Sequence, residues 1–261
     1  MRTLVLTGDT RPLLPVGYWT YAAVANAAYA GRHGYEFRYC RWTGTARSPD
    51  GVDRAPQWFK FAALWRALEE GYDRVLWIDS DALACGVPSL PLEACLPPRT
   101  PRCALVALTN EPFCSPPYND PCVACSGIFV VYNSKAAREI LMEMWHDEGH
   151  ARKYPFDQGA LCAALARHGP DAIVVSPMLS LVLHSMPPPT QLFAHVTNIV
   201  TNRADAIRSL YARLGLGAVE VRAAELLASD AVERGAQPAL QAQAMVLRMR
   251  GTRDEEELNT R

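Results

Sequence analysis

The sequence predicts an α/β protein: a mixed, mostly parallel sheet flanked by helices, followed by a helical C-terminal appendage. Two observations carry the first part. Apolar runs of strand length alternate with longer stretches of helical period, the order that builds a parallel sheet wrapped by helices. The chain is also long and apolar enough to bury one full α/β core, with 261 residues, 49% apolar and 20% charged. A third observation, a change of pattern near Arg203, sets off the appendage.

The elements follow in order. "TLVL" is a first strand leading into the loop "TGDTR", and "YWTYAAVANAAYAGRHG" is a helix ended by Gly34. "YEFRYC" is a short strand, followed by a loop rich in Gly, Ser and Asp. "APQWFKFAALWRALEEG" sets Trp58, Phe61, Leu64, Trp65 and Leu68 on one helical face. "RVLWI" is the next strand and ends on two acids, Asp79 and Asp81. After proline-rich connections come the strands "CALVAL" and "GIFVVYN", then a helix that Ser134 can cap. "FDQGALCAALARHG" is a further helix, "AIVVSP" a further strand, and "PPPTQLFAHVTN" leads out of the sheet. Residues 1–203 are read as one domain, and 204–261, rich in Ala, Leu and Arg, as the appendage with a charged, frayed tail.

Composition excludes some functions. A net charge of −1 offers no footprint for a phosphate backbone or an anionic bilayer, so nucleic acid is not an expected partner. The apolar start is too short for a signal segment, and "AIVVSPMLSLVL", broken by Pro177, is too short to span a membrane. The expectation is a soluble, cytoplasmic chain. Eight cysteines are too few for a disulfide scaffold at this length.

The acids of "YDRVLWIDSDAL" concentrate the chemistry. In open α/β sheets ligands sit beyond the carboxyl ends of strands, where these acids lie. On an extended strand Asp79 and Asp81 share one side and Ser80 faces the other. Like charges this close raise each other's pKa unless a cation intervenes, and a hard divalent ion with positions open to phosphate oxygens resolves the conflict. The alternative from spacing alone is a solvated turn. A phosphatase of the haloacid dehalogenase type also places a nucleophilic Asp and an acid Asp after an apolar strand, but it needs downstream motifs that are not evident here.

Several separate stretches resemble the nucleotide-sugar glycosyltransferases of the GT-A (Rossmann-like) fold, within the galactosyl- and mannosyltransferase family that includes fungal α-mannosyl- and α-galactosyltransferases and plant xyloglucan xylosyltransferases. They are "NAAYAGRHGYEF", "WFKFAALWRAL", "YDRVLWIDSDAL", "CSGIFVVYNS", "FDQGAL" and "LFAHV", in order over roughly residues 1 to 200. The resemblance implies transfer of a hexose or pentose from a UDP- or GDP-linked sugar to a carbohydrate hydroxyl, with the anomeric configuration retained. It implies Mn²⁺ or Mg²⁺ held by Asp79, Asp81 and His195. Asp157 and Gln158 would lie beside the sugar, although Asp157 also suits a helix cap. Thr7, Gly8 and Asp9 would receive the nucleotide, Gly8 by close backbone approach and Asp9 by accepting from base or ribose; an ordinary turn is the plain alternative. Ser80 goes with its neighbours in the donor site. "CSGIF" departs from the family's usual asparagine start by showing Cys125 and Ser126, and Gly127 would let the backbone pass close to the sugar.

Lys60 points away from its helix's apolar face, so it either reaches phosphate or is solvated. Cys103, Cys114, Cys122 and Cys125 contain a C-x-x-C, but their other spacings match no common zinc module. His146 and His150 read as a surface pair. A non-catalytic binding protein with the same fold is the remaining alternative. The clustered acids argue against it, because nothing physical favours retaining them without a cation.

Overall fold

A computed structural model describes residues 1–42, 46–47, 53–85, 90–109, 123–176, 192–196 and 202–228. A six-stranded sheet forms the centre. Its strands are β1 (Thr3–Asp9), β2 (Glu36–Arg41), β5 (Arg74–Asp79), β7 (Leu105–Thr109), β8 (Ala124–Tyr132) and β9 (Ile173–Ser176), in the order β2-β1-β5-β8-β7-β9. β1 pairs in parallel with β2 and β5, and β7 with β9; β8 alone runs against its neighbours. Two short pairs stand apart: β3 (Ala46–Arg47) with β4 (Asp53–Arg54), and β6 (Ala82–Ala84) with β10 (Phe193–His195).

Both faces of the sheet are covered, so its strands are apolar at consecutive positions. On one face Leu4, Leu6, Val75, Trp77, Phe129 and Val131 meet helices α2 (Phe59–Glu69), α4 (Lys135–His146) and α5 (Asp157–His168). On the other face Val5, Leu76, Ile78, Ile128 and Val130 pack with Tyr29 of α1 (Tyr18–Arg32) and Leu92 and Cys95 of α3 (Leu92–Cys95). Trp58, Phe61, Leu64 and Leu68 are fully buried and Trp65 partly so, as the helical spacing requires. Burial of each such side chain contributes about 2 kcal/mol. Ser134 caps α4 by accepting from the Ala137 amide at 3.1 Å.

Helices α6 (Arg203–Arg213) and α7 (Val219–Ala228) form in the region read as an appendage. Ile207, Leu210, Tyr211, Val219 and Ala223 share a buried cluster with Ala22 and Val24 of α1, Leu83 of β6 and Ala194 of β10. Residues 229–261, read as including a frayed tail, lie outside the described residues. Among the described residues no helix is long and apolar enough to cross a membrane.

Candidate active site

The site forms where β5 runs out. Strand alternation puts Trp77 and Asp79 on the side of the sheet covered by α2, and the chain then turns through Ser80 and Asp81 into β6. The extended strand expected through all three residues therefore ends at Asp79, and a turn sets the directions of the two acids. Asp79 and Asp81 still converge. One donor atom from each, and one from His195, lie within 4.8 Å of one another.

His195 arrives through the small second sheet. β10 pairs antiparallel with β6, setting His195 opposite Ala82, and the Val196 amide donates to the Asp81 carbonyl at 2.9 Å. Asn26 of α1 secures β6, donating to the Ala82 carbonyl at 3.0 Å and accepting from the Ala84 amide at 2.9 Å. These three-residue strands carry no readable period, so the sequence reading did not contain them. Gly127 completes the fit, because a Cβ there would stand 2.2 Å from His195 Cε1.

The acids fall into two differently charged settings. On the α2 side, the buried Lys60 ammonium lies 3.0 Å from Asp79 Oδ1 and 2.7 Å from Asp157 Oδ2, and donates to the Ser126 carbonyl at 3.0 Å. Trp77 Nε1 donates to Asp79 Oδ1 at 2.6 Å, and Ser126 Oγ to Asp157 Oδ2 at 2.6 Å. An ammonium has three protons, and all three are committed. Lys60 is thus neither solvated nor extended toward a phosphate, because Asp79 and Asp157 draw it inward. Burial pushes its pKa down, but Asp157 and Asp79 outweigh this and hold it raised. Burial raises the Asp79 carboxyl, with Lys60 opposing and Asp81 adding to the shift.

On the other side, His195 Nε2 is 3.1 Å from Asp81 Oδ1, and Arg203 of α6 donates to Asp81 Oδ2 at 2.7 Å. Burial acts to raise Asp81, but His195 and Arg203 prevail and hold it below its ordinary value. Burial alone would lower His195; Asp81 dominates and holds the imidazole well above its ordinary 6.5.

A cleft of about 340 Å³ opens over Asp79 and Asp81, lined in part also by Gly8, Asp9, Arg11, Tyr18, Ser80 and Arg203. Asp9 is committed to the protein: Arg11 Nε donates to it at 2.7 Å and the Arg11 amide at 2.9 Å, and Ser80 also hydrogen-bonds to it. Burial acts to raise its carboxyl, but these donors hold it below the usual carboxylate range. The expectation that Asp9 accepts from a nucleotide meets this competition. Thr7 is fully buried and donates to the Ile78 carbonyl at 2.9 Å, so its hydroxyl ties β1 to β5 instead of facing a ligand. Gly8 does admit a close neighbour, but that neighbour is the Trp42 indole, 2.5 Å from where a Cβ would stand. The Arg11 and Arg203 guanidiniums lie 4.7 and 4.8 Å from the Tyr18 ring centroid.

Asp157 opens α5, where the helix's positive end favours a carboxylate, and Gln158 beside it is partly buried. The preceding residue, Phe156, has φ of 56°, a conformation that costs about 1–3 kcal/mol in a residue with a side chain. Of the cysteine group, Cys103 and Cys125 are separately buried and free, while Cys114 and Cys122 lie outside the described residues. His150 pairs with Asp147 at 3.0 Å and packs its ring against Gly159, so it is tied into the α5 end of the fold instead of pairing with His146. Arg11, Ser126, Cys125 and Arg203 complete the site. Only Ser126 and Cys125 were noticed in sequence, through the departure in "CSGIF".

The sequence matches no family model, and no curated protein matches it. Solved structures do. A glycosyltransferase involved in glycosylation of the major capsid of PBCV-1 superposes with a TM-score of 0.63 at 19% identity, over 80% of this chain and 98% of its own. The glycosyltransferase GlyE of Streptococcus pneumoniae TIGR4 superposes with a TM-score of 0.50 at 14% identity, over 89% of this chain and 65% of its own. At such identities the likeness speaks for the fold alone: the chain, a six-stranded mixed sheet flanked by helices, has the GT-A-type fold of glycosyltransferases.

Proposed function

We propose that this chain transfers a sugar from a UDP- or GDP-linked donor to a carbohydrate hydroxyl, with a divalent cation, Mn²⁺ or Mg²⁺, bound by Asp79, Asp81 and His195. The observation that carries this reading is the convergence of two carboxylates and an imidazole within 4.8 Å at the mouth of the cleft. That donor set, oxygen with one nitrogen, suits Mn²⁺ and tolerates Mg²⁺.

Charge supports the assignment. Asp79, Asp81 and Asp157 against Lys60 and Arg203 leave one formal negative charge, and a protonated His195 cancels it. Exchanging that proton for a divalent ion makes the site positive, complementary to a diphosphate. The ion supplies Lewis-acid stabilisation of the departing diphosphate. Arg203 and Arg11, on the cleft wall, offer donors to the same charge. Lys60 and Ser126 hold Asp157 Oδ2 fixed, so its carboxylate serves as a positioned negative charge beside an oxocarbenium-like centre. With Gln158 next to it, this arrangement fits transfer with retention, the acceptor approaching on the face the leaving group vacates.

The GT-A-type fold favours this reading over the phosphatase alternative. A thermal-shift panel of UDP, GDP and their sugars, with Mn²⁺ or with chelator, tests it against a non-catalytic role. Stabilisation by a nucleotide that requires the ion, with release of free sugar or a glycosylated product from the matching donor, is the expected result. Equal stabilisation in chelator removes the metal bridge, and binding without any turnover leaves a binding protein.

A further inference from the structure

We infer that Cys125 is a positioning residue for the metal site: its sulfur receives the proton on His195 Nδ1 and so turns the Nε2 lone pair toward the ion. The inference rests on the metal-site reading above.

The geometry begins with an irregularity in β8. Ala107 of β7 pairs with Phe129, but the next residue, Leu108, pairs with Cys125, so Ser126, Gly127 and Ile128 have no partner on β7. Such a bulge re-aims the side chains around it. Here it sends the Ser126 hydroxyl to Asp157 and its carbonyl to Lys60, sets Gly127 under the His195 ring, and leaves Cys125 beside the imidazole. Cys125 Sγ is buried, 3.6 Å from His195 Nδ1, and the Gly127 amide donates to the same sulfur at 3.4 Å. That amide holds the sulfur beside the ring, where it can accept from an Nδ1–H.

A neutral imidazole has one N–H and one lone pair, so the partner of one nitrogen decides the role of the other. Nε2 faces Asp81 and is the nitrogen that can reach an ion shared with Asp79. Nδ1 must then carry the proton, and the Cys125 sulfur lies beside it. Ligating histidines usually give this proton to a carboxylate or a carbonyl, and loss of such a partner costs 10–100-fold in metal affinity. A sulfur in this place does the same work with a longer, softer contact. Because the ion would lie on the opposite edge of the ring, Cys125 acts through His195 and does not itself bind the metal.

The test is Mn²⁺ affinity of the full chain, read from the free-ion signal in electron paramagnetic resonance, for wild type and for Cys125→Ser, Cys125→Val and Cys125→Ala. Circular dichroism confirms that each variant is folded. Serine keeps an acceptor and loses some bulk; valine keeps the bulk and loses the acceptor. The inference expects Cys125→Ser within about threefold of wild type, and Cys125→Val and Cys125→Ala weaker by about tenfold or more. An order that follows volume, with valine retaining affinity and serine losing it, makes Cys125 a packing residue and overturns the inference, as does wild-type affinity in all three. Wild type that takes up no Mn²⁺ overturns the metal site itself, and the inference with it.

Discussion

Gly127 lies directly beneath the imidazole of His195, so close that a methyl group at position 127 would stand 2.2 Å from Cε1 and 2.7 Å from Nδ1. The absence of a side chain there is what allows strand β8 and the short strand β10 to meet at the site.

Gly127→Ala is therefore expected to displace His195 while leaving Asp79 and Asp81 in place. Overpacking of this kind costs about 1–3 kcal/mol. Urea denaturation should show a loss in that range, and Mn²⁺ binding should weaken more than tenfold. A variant with unchanged stability and unchanged Mn²⁺ affinity would show that His195 is not confined by Gly127.

Arg203 and an incoming cation compete for Asp81. Arg203→Met should bind Mn²⁺ more tightly than wild type when no nucleotide is present, because Asp81 Oδ2 loses its 2.7 Å donor. The same variant should bind UDP or GDP with Mn²⁺ about tenfold more weakly, since a charge-assisted hydrogen bond contributes about 1.5 kcal/mol or more. Calorimetric titration of ion alone, then of nucleotide with ion, separates the two effects. Both affinities moving in the same direction would refute the exchange.

Lys60→Met leaves the carboxylates of Asp79 and Asp157 without their shared cation. Removing one partner of a buried ionic group costs about 3–5 kcal/mol. The deficit should shrink at pH 5 relative to pH 8, because protonating the orphaned acids relieves their repulsion. Denaturation midpoints at the two pH values decide this; a deficit independent of pH would point to lost packing alone.

The raised pKa of His195 fixes the direction of two pH effects. In chelator, the charged imidazole's contribution to stability is fully present below the ordinary value of 6.5 and is lost as pH rises through the higher folded value. Mn²⁺ must displace the same proton, so its affinity should climb as pH rises toward that folded value. Asp81 acts oppositely: its lowered pKa contributes stability above the ordinary 3.8 that is lost as pH falls through the folded value. Denaturation and Mn²⁺ titration from pH 5 to 9 check the histidine, and Asp81→Asn should flatten both curves.

Much of the sheet was legible because both of its faces are buried, which leaves strands apolar at every position, and because α2 carries its aromatic residues at helical spacing. Asp79, Asp81 and His195 could be nominated as one cluster only through the order of several motifs; nothing local joins residues 114 positions apart. Lys60 was ambiguous for a physical reason. A helical wheel shows that it leaves the apolar face, but its acidic partners come from β5 and α5, and a wheel contains neither. Arg203 was hidden likewise, falling where the composition changes and reading as the edge of an appendage. Gly8 and Asp9 line the cleft and Thr7 is buried beneath it, but their groups are engaged by Trp42, Arg11 and Ile78, contacts no spacing announces.

The delivery of His195 by a three-residue strand has one further consequence. β10 belongs to no large sheet, and it reaches the acidic turn only after the chain has wandered through most of the molecule. A cation bound by both Asp81 and His195 is then a reversible cross-link that closes a loop of more than a hundred residues, as a disulfide would, but one that chelators can unfasten. Occupancy of the site would be felt as slower amide exchange along β6, β10 and the first turn of α6, far more than in the six-stranded centre, which touches the ion only through Asp79 at the end of β5.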